Sequence, residues 1–520
     1  MGSAALTVTI LAPNQAPIAA VAVSKSIISE GQPFVLDASN SSDPDGDALT
    51  YSWEQTQGTA VDLSDDSSAT LNLDAPLLDA DETLIFEVTV SDGEDETQQS
   101  VSIEIEALET LTITGWAPPN TGGVFASQIA GITAPATGGF RMHWGTNILT
   151  NRIWTASQLF ADNLERIGPE PRITINQTDP VFSGRLTHAA QSGERTYYIH
   201  ETSSITIERQ EATFYRGFSV LSDRPESDGD SFGALIAEGQ STGVNPMFPF
   251  RLEASAYSGD RLVTVLKTSG LPRRIDGYIQ APDGSQTHTP ILEATTAENV
   301  GEIAVSQAGE TAYLATWTQG TSDPIISSVR GRRITNDGTL SENIITIGDP
   351  LGLSYGPAMT TLSDGRILVI WNEIDDAENP QFRSILGRIL SAEGTFETEI
   401  FTLYTTEESG ETLGILKASP MQDGQALITW WSNQNEEVNG NLQNQAVRIR
   451  ALAVGATGEM VSNVFNIYED QRESDEEVLL EIDDLEIAVS TENRAVVGWN
   501  FRTGGPVENS FYAHFYPIGK

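Results

Sequence analysis

The chain contains no cysteine in 520 residues. Disulfides, thiolate metal sites and cysteine nucleophiles are therefore excluded together. Lysine is almost as scarce: Lys25, Lys267, Lys417 and Lys520 are the full set, so 24 of the 28 basic residues are arginine. Against them stand 73 acidic residues, for a net charge of −45. A surface without a basic stripe repels nucleic acid and anionic membranes, because nothing neutralises the phosphates. No run of about 18 apolar residues occurs, so no membrane insertion is expected. Met1-Gly2-Ser3 leads into a polar segment without the basic start of a signal peptide, so a native targeting segment is expected to be missing from this chain. Phosphate-cradling glycine loops, His-Glu-x-x-His and Gly-x-Ser-x-Gly are also absent. His143, His188, His200, His288 and His514 are scattered without metal-ligand spacing. No catalytic residue is assigned. Among 73 acidic residues a glycosidase-type carboxylate pair cannot be picked out by sequence.

What is present begins with the acidity itself. It suits a salty or calcium-rich extracellular setting, where screening and bound cations offset self-repulsion. Residues 1–15 read as a leading strand or linker, with Leu6-Thr7-Val8-Thr9-Ile10 as its strand-like part. Residues 16–107 read as a self-contained unit. Phe34-Val35-Leu36, Leu49 to Trp53, Leu84 to Val90 and Val101 to Ile105 are short strands spaced by turns, most alternating apolar with polar. That pattern over about 90 residues indicates an immunoglobulin-like β-sandwich. Asp43, Asp45 and Asp47 stand at alternate positions of an acidic turn, and Asp92 lies in a later loop. Together they can offer the hard oxygen ligands that calcium requires, provided the two loops share an end of the sandwich. The alternative is an Asx-rich turn in which these carboxylates cap backbone amides. The spacing is not that of an EF-hand.

The series Glu30-Gly31-Gln32, Leu36-Asp37, Ser42-Asp43-Pro44-Asp45-Gly46-Asp47, Tyr51-Ser52-Trp53, Phe86 and Val90-Ser91-Asp92-Gly93 resembles a PKD domain. It is close to the PKD and cadherin-like modules of bacterial exported proteins. The resemblance implies an extracellular spacer or adhesion module, calcium-binding in some members, with Trp53 in the core between the sheets.

Residues 108–520 carry a repeat. Leu362-Ser363-Asp364-Gly365-Arg366 is a tight turn leading into the apolar run Ile367 to Trp371, and similar runs end near Trp144, His200, Lys267, Trp317, Trp430 and Trp499. These seven ends lie 50 to 69 residues apart. Each clear unit adds a strand before the turn, a third strand with a Gly-Arg signature (Gly331-Arg332, Gly387-Arg388) and a fourth apolar strand. Four strands per unit, repeated about seven times, predict a β-propeller, with seven blades preferred and six to eight allowed. The tryptophan run becomes the second strand, buried on both faces by stacked blades. The last unit lacks a fourth strand, while 110–114 is one strand too many. Pairing of 110–114 with 510–516 would close the ring.

Turns after first and third strands read as short, and connections after second and fourth strands as long and acidic. Function sits in long loops on a rigid scaffold. The expected ligand-binding face therefore takes in Asn372, Asp375, Asp376, Glu378, Trp431, Asn433, Glu436, Tyr355 and Trp154. The expectation is a non-enzymatic extracellular or cell-surface protein recognising a glycan, peptide or partner protein, with calcium as the expected ion. Two further readings are a structural subunit that self-associates and a polysaccharide hydrolase or lyase. The Ser-x-Asp-x-Gly-x-Thr-Trp box of sialidase propellers is absent.

Overall fold

Strands form almost all the regular structure among the described residues, with one short 3-10 turn at Gln422–Gly424. The computed structural model describes most of residues 13–107 and the strands between 110 and 517. Side chains are described mainly within 13–107 and 254–500, and residues 1–12, 115–126, 224–233, 375–382, 472–480, 503–509 and several shorter connections lie outside. The chain divides into two compact units, Met1–Leu108 and Glu109–Lys520.

The first unit is a two-sheet sandwich. One sheet orders Ala22–Val23, Pro33–Asp37 and Thr70–Asp74. The other orders Ile27–Ser29, Glu96–Glu106, Glu82–Ser91 and Thr50–Gln57, with Ile27–Ser29 running parallel to its neighbour. Strict alternation along Glu82–Ser91 turns Leu84, Phe86, Val88 and Val90 inward, where they share a core with Phe34, Leu36, Leu71 and Leu73. Trp53 joins that core and donates its indole N–H to the Ser68 carbonyl at 2.9 Å.

The second unit is a seven-bladed propeller. Its sheets span 127–176, 181–242, 250–293, 298–346, 354–405 and 411–471, and the seventh joins 481–517 to Thr110–Thr114. The expected closure is present: Thr110–Thr114 lies antiparallel to Ser510–Pro517, with Thr112 opposite Tyr512. First strands touch one another in sequence order, and Glu481–Val489 of blade 7 meets Ser127–Thr133 of blade 1. The ring is thus complete at its inner wall.

Apolar layers sit between blades rather than within them. Ala312–Ser322 of blade 4 gives Tyr313, Ala315 and Trp317 to a core shared with Val263, Val265 and Ile279 of blade 3. Its opposite face gives Leu314 to a core shared with Val369 and Trp371 of blade 5. Leu368 and Ile370 then pack with Ile428 and Trp430 of blade 6. This double burial is why Ile367 to Trp371 does not alternate. Trp317, Trp371, Trp430 and Trp499 are all fully buried.

The Gly-Arg signature also acts between blades. Nη1 of Arg332 donates to the Ile291 carbonyl of blade 3 at 2.9 Å, and Nη1 of Arg388 donates to the Ile347 carbonyl beyond blade 4 at 3.1 Å. The preceding glycines leave room for the neighbouring outer strand: a Cβ at Gly387 would sit 2.5 Å from the Phe401 ring.

Candidate functional site

The first strands of blades 4, 5 and 6 share an irregularity at their entry ends. The pairing slips between Val300 and Ile303, between Tyr355 and Ala358, and between Leu413 and Leu416. A glycine opens each bulge: Gly301, Gly356 and Gly414. The residue after each buried tryptophan lies over it. A Cβ at Gly301 would meet Thr318 at 2.1 Å, one at Gly356 would meet Asn372 at 3.1 Å, and one at Gly414 would meet Trp431 at 2.1 Å. Bulge carbonyls also receive the preceding blade: Lys267 Nζ donates to Gly301 O at 2.8 Å and Asn372 Nδ2 to Gly414 O at 3.0 Å.

Above the bulges of blades 4 and 5 a cavity of about 420 Å³ opens on the face where second strands exit and first strands enter. Arg273 from blade 3 reaches it. Blade 4 supplies Asn299, Val300, Gly301, Thr318, Gly320, Thr321, Ile326 and Ser327, and blade 5 supplies Leu353, Ser354, Tyr355 and Ile374. Leu351, 77% exposed, stands on the same connection as Leu353, which an Asx turn from Asp349 shapes. Burial pushes the Tyr355 phenol up to about 12, with Glu302 and Glu373 adding to the shift against Arg383. Tyr355 is accordingly a hydrogen-bond donor at every physiological pH.

Three carboxylates around this face are held by scaffold donors, while Glu302 is exposed and accepts from Gly356 N at 3.4 Å. Glu373 is buried, and its Oε1 accepts from Leu353 N at 2.8 Å. Its Oε2 accepts from Ser354 Oγ at 2.6 Å and from the Trp371 indole at 3.1 Å. Burial pushes its carboxyl above the usual glutamate range, and these three donors only partly offset that. Glu298 accepts from Thr295 N, Thr295 Oγ1 and Gln319 Nε2, and the Thr295 backbone bond leads in holding it below its usual value. Glu411, also buried, accepts from Arg450 Nη1 at 2.6 Å and Tyr404 O–H at 2.9 Å.

The expected face residues scatter relative to this geometry. Tyr355 lines the cavity. Asn372 is not the start of a loop: its strand runs Ile367–Ile374, and the side chain is fully buried. Trp431, Asn433 and Glu436 belong to the long strand Ala426–Val438, which pairs through Val438 with Asn441, rather than to a loop after Trp430. Trp154 lies in Arg152–Phe160 opposite Thr146 and Thr174, with its side chain outside the described set. Asp375, Asp376 and Glu378 fall outside the described residues. Sequence reading missed Arg273, Asn299 and Ser327. One usable signal was Trp317-Thr318-Gln319 beside Trp371-Asn372-Glu373, in which the indole N–H donates to the side chain two residues on.

In the first unit the two acidic loops do share an end. Asp43 Oδ1 accepts from the backbone of Asp45 and Asp47, and Asp92 Oδ1 from that of Glu94 and Asp95. Asn14 Nδ2 donates to Asp92 Oδ2 at 2.9 Å, while Gln15 donates twice to Asp45. Backbone bonding, led by the Asp95 N–H, holds Asp92 below its usual value. Among the described residues no group of three or more His, Asp or Glu is placed to hold a metal ion.

A family profile for the PKD domain matches residues 22–105. This unit is PKD-like. No curated protein matches the chain. Among solved structures, a nucleoside hydrolase-related protein from Saccharophagus degradans, associated with carbohydrate metabolism, is 30% identical over 18% of this chain, with a TM-score of 0.16. The match spans 26% of that protein, well under two thirds of its length. The β-propeller domain of the Trilobed protease from Pyrococcus furiosus is 10% identical, covering 74% of this chain and 95% of its own, with a TM-score of 0.39. An α-L-arabinanase from Penicillium chrysogenum, complexed with arabinobiose, is 11% identical over 79% and 98%, with a TM-score of 0.36.

Proposed function

We propose that this is a non-catalytic extracellular or cell-surface binding protein, its propeller recognising a ligand on the long-loop face and its PKD-like domain serving as a spacer. The cavity over blades 4 and 5 carries the reading. It opens on the face chosen by the loop argument, and it mixes aliphatic walls with hydroxyl and amide groups. Among the described residues no carboxylate lines it, and Glu298, Glu373 and Glu411 nearby are tied to fixed donors. Among the described residues that line this cavity there is therefore no acid pair of the kind that works on a glycosidic bond. No helix among the described residues is long and apolar enough to cross a membrane. Calcium belongs to the same proposal as a partner of the loops holding Asp43, Asp45, Asp47 and Asp92, in competition with Asn14 and Gln15.

The test is a glycan array and a peptide array read with the full-length protein and with Ser327→Trp, which fills the cavity. Ligand signal that disappears in the filled variant is expected. Signal that survives filling, or no signal with either class, would end the proposal. A second reading, a subunit of a surface assembly, draws on Phe396, Ile400, Met460 and Val461, which are exposed beside the short turns of adjacent blades 5 and 6. Light scattering showing only monomer across a wide concentration range would remove it.

A further inference from the structure

We infer that the cavity over blades 4 and 5 takes a carboxylate-bearing sugar, with Arg273 as the group that receives the carboxylate. The inference rests on the binding reading above and names its ligand class.

Charge is the first argument. Among the described residues that line the cavity, Arg273 is the one charged side chain. A cation presented to such a space is complementary to an anion. Net charge of −45 repels anions at a distance, but exposed charges beyond a Debye length of about 8 Å are screened at physiological salt. At contact the local arginine decides.

The geometry of Arg273 is the second. Its Nη1 donates to the Glu298 carbonyl at 3.2 Å and to Asn299 Oδ1, which occupies both hydrogens of that nitrogen. Both acceptors are neutral, and Arg273 enters no ion pair among the described residues. The hydrogens left over are those of Nε and Nη2. That edge of a guanidinium matches the two oxygens of a carboxylate bidentately. Nη1 thus fixes the plane, and the edge suited to a carboxylate stays uncommitted.

The remaining lining distinguishes a sugar from a simple anion. Asn299 is oriented by giving its oxygen to Arg273, so its Nδ2 hydrogens are left to donate. Thr318 and Ser327 bring hydroxyls. Ile326, Leu353 and Ile374 give aliphatic surface for the C–H face of a ring. At about 420 Å³ the space is at the small end of ligand sites, which suits one or two rings.

The experiment titrates full-length protein with oligogalacturonate and alginate oligomers and with neutral oligogalactose and oligomannose of equal length. The acidic sugars should bind at least about tenfold more tightly than their neutral counterparts. Arg273→Gln should remove that preference, so that acidic and neutral sugars bind with equal affinity. Should Arg273→Gln fail to fold, Arg273→Lys keeps the charge without the planar edge and should lose most of the preference. Equal affinity for neutral and acidic sugars, or a preference that survives both variants, overturns the inference while leaving sugar binding in place. Binding of peptides with a free terminal carboxylate but of no sugar overturns it too, and leaves the wider binding reading standing. If neither class binds, both readings fall.

Discussion

Glu373 shows most clearly how single residues build this face. Its two oxygens collect a backbone N–H, a hydroxyl and an indole, so Leu353, Ser354 and Trp371 are all held by one buried carboxyl. Removing it orphans buried donors at about 1–3 kcal/mol apiece. Glu373→Ala should therefore destabilise the propeller by at least about 2 kcal/mol in denaturant unfolding, and a loss under half that would show that water replaces the carboxyl. The pH dependence has a definite sign. Burial raises the folded value above the ordinary 4.5, so the native state binds the proton more tightly than the unfolded chain. That contribution is complete below about pH 4.5 and is lost as pH rises through the folded value. Any stability advantage of wild type over Glu373→Gln should shrink with rising pH across that window, and an advantage that grows would contradict the burial argument.

At the scale of strands, the second strand of each blade was legible because double burial leaves a continuous apolar run, as in Ile367 to Trp371. Closure was legible by counting, since the last unit lacked one strand and the first had one to spare. The ends of the second strands were not. Ser432 to Glu437 is polar and reads as a loop, yet it extends a hairpin whose pairing continues to Val438 and Asn441. Polar residues pair as strand where both faces leave the inter-blade core, and composition does not mark that exit. The cavity was illegible for a related reason. It joins Arg273, Ser327 and Tyr355 from three blades through bulges whose only trace is a glycine. The closing strand gives the sharpest test at this scale. Successive residues of an antiparallel strand alternate in sending their N–H to the partner, so proline at both Leu111 and Thr112 removes at least one ladder bond. The double variant should unfold about 2–4 kcal/mol more easily and should associate through the exposed edge of Ser510–Pro517. Unchanged stability and a monomeric profile on size-exclusion chromatography would mean the ring does not depend on this strand.

For the whole molecule, charge sets the conditions under which everything above holds. Twenty-eight basic residues cannot neutralise 73 acidic ones, so repulsion opposes compaction more than ion pairs support it. Several pairs are weak in any case: Glu399, facing Arg388 at 4.0 Å, has a fully exposed side chain. Screening therefore removes more repulsion than attraction. Shortening the Debye length from about 30 Å at 0.01 M salt to about 3 Å at 1 M should raise the melting temperature by several degrees. A fall would mean that ion pairs such as Lys417–Glu486, at 2.7 Å between the first strands of blades 6 and 7, outweigh the net charge. Melting in calcium chloride at matched ionic strength separates screening from site binding. A calcium-specific rise confined to the PKD-like transition, and lost when Asp43 and Asp45 become Asn, would assign the ion to the acidic loops. An equal response to sodium and calcium would leave those carboxylates with the work seen in the structure: Asp43 capping the turn that follows it, and Asp45 and Asp92 holding Gln15 and Asn14 across the end of the sandwich.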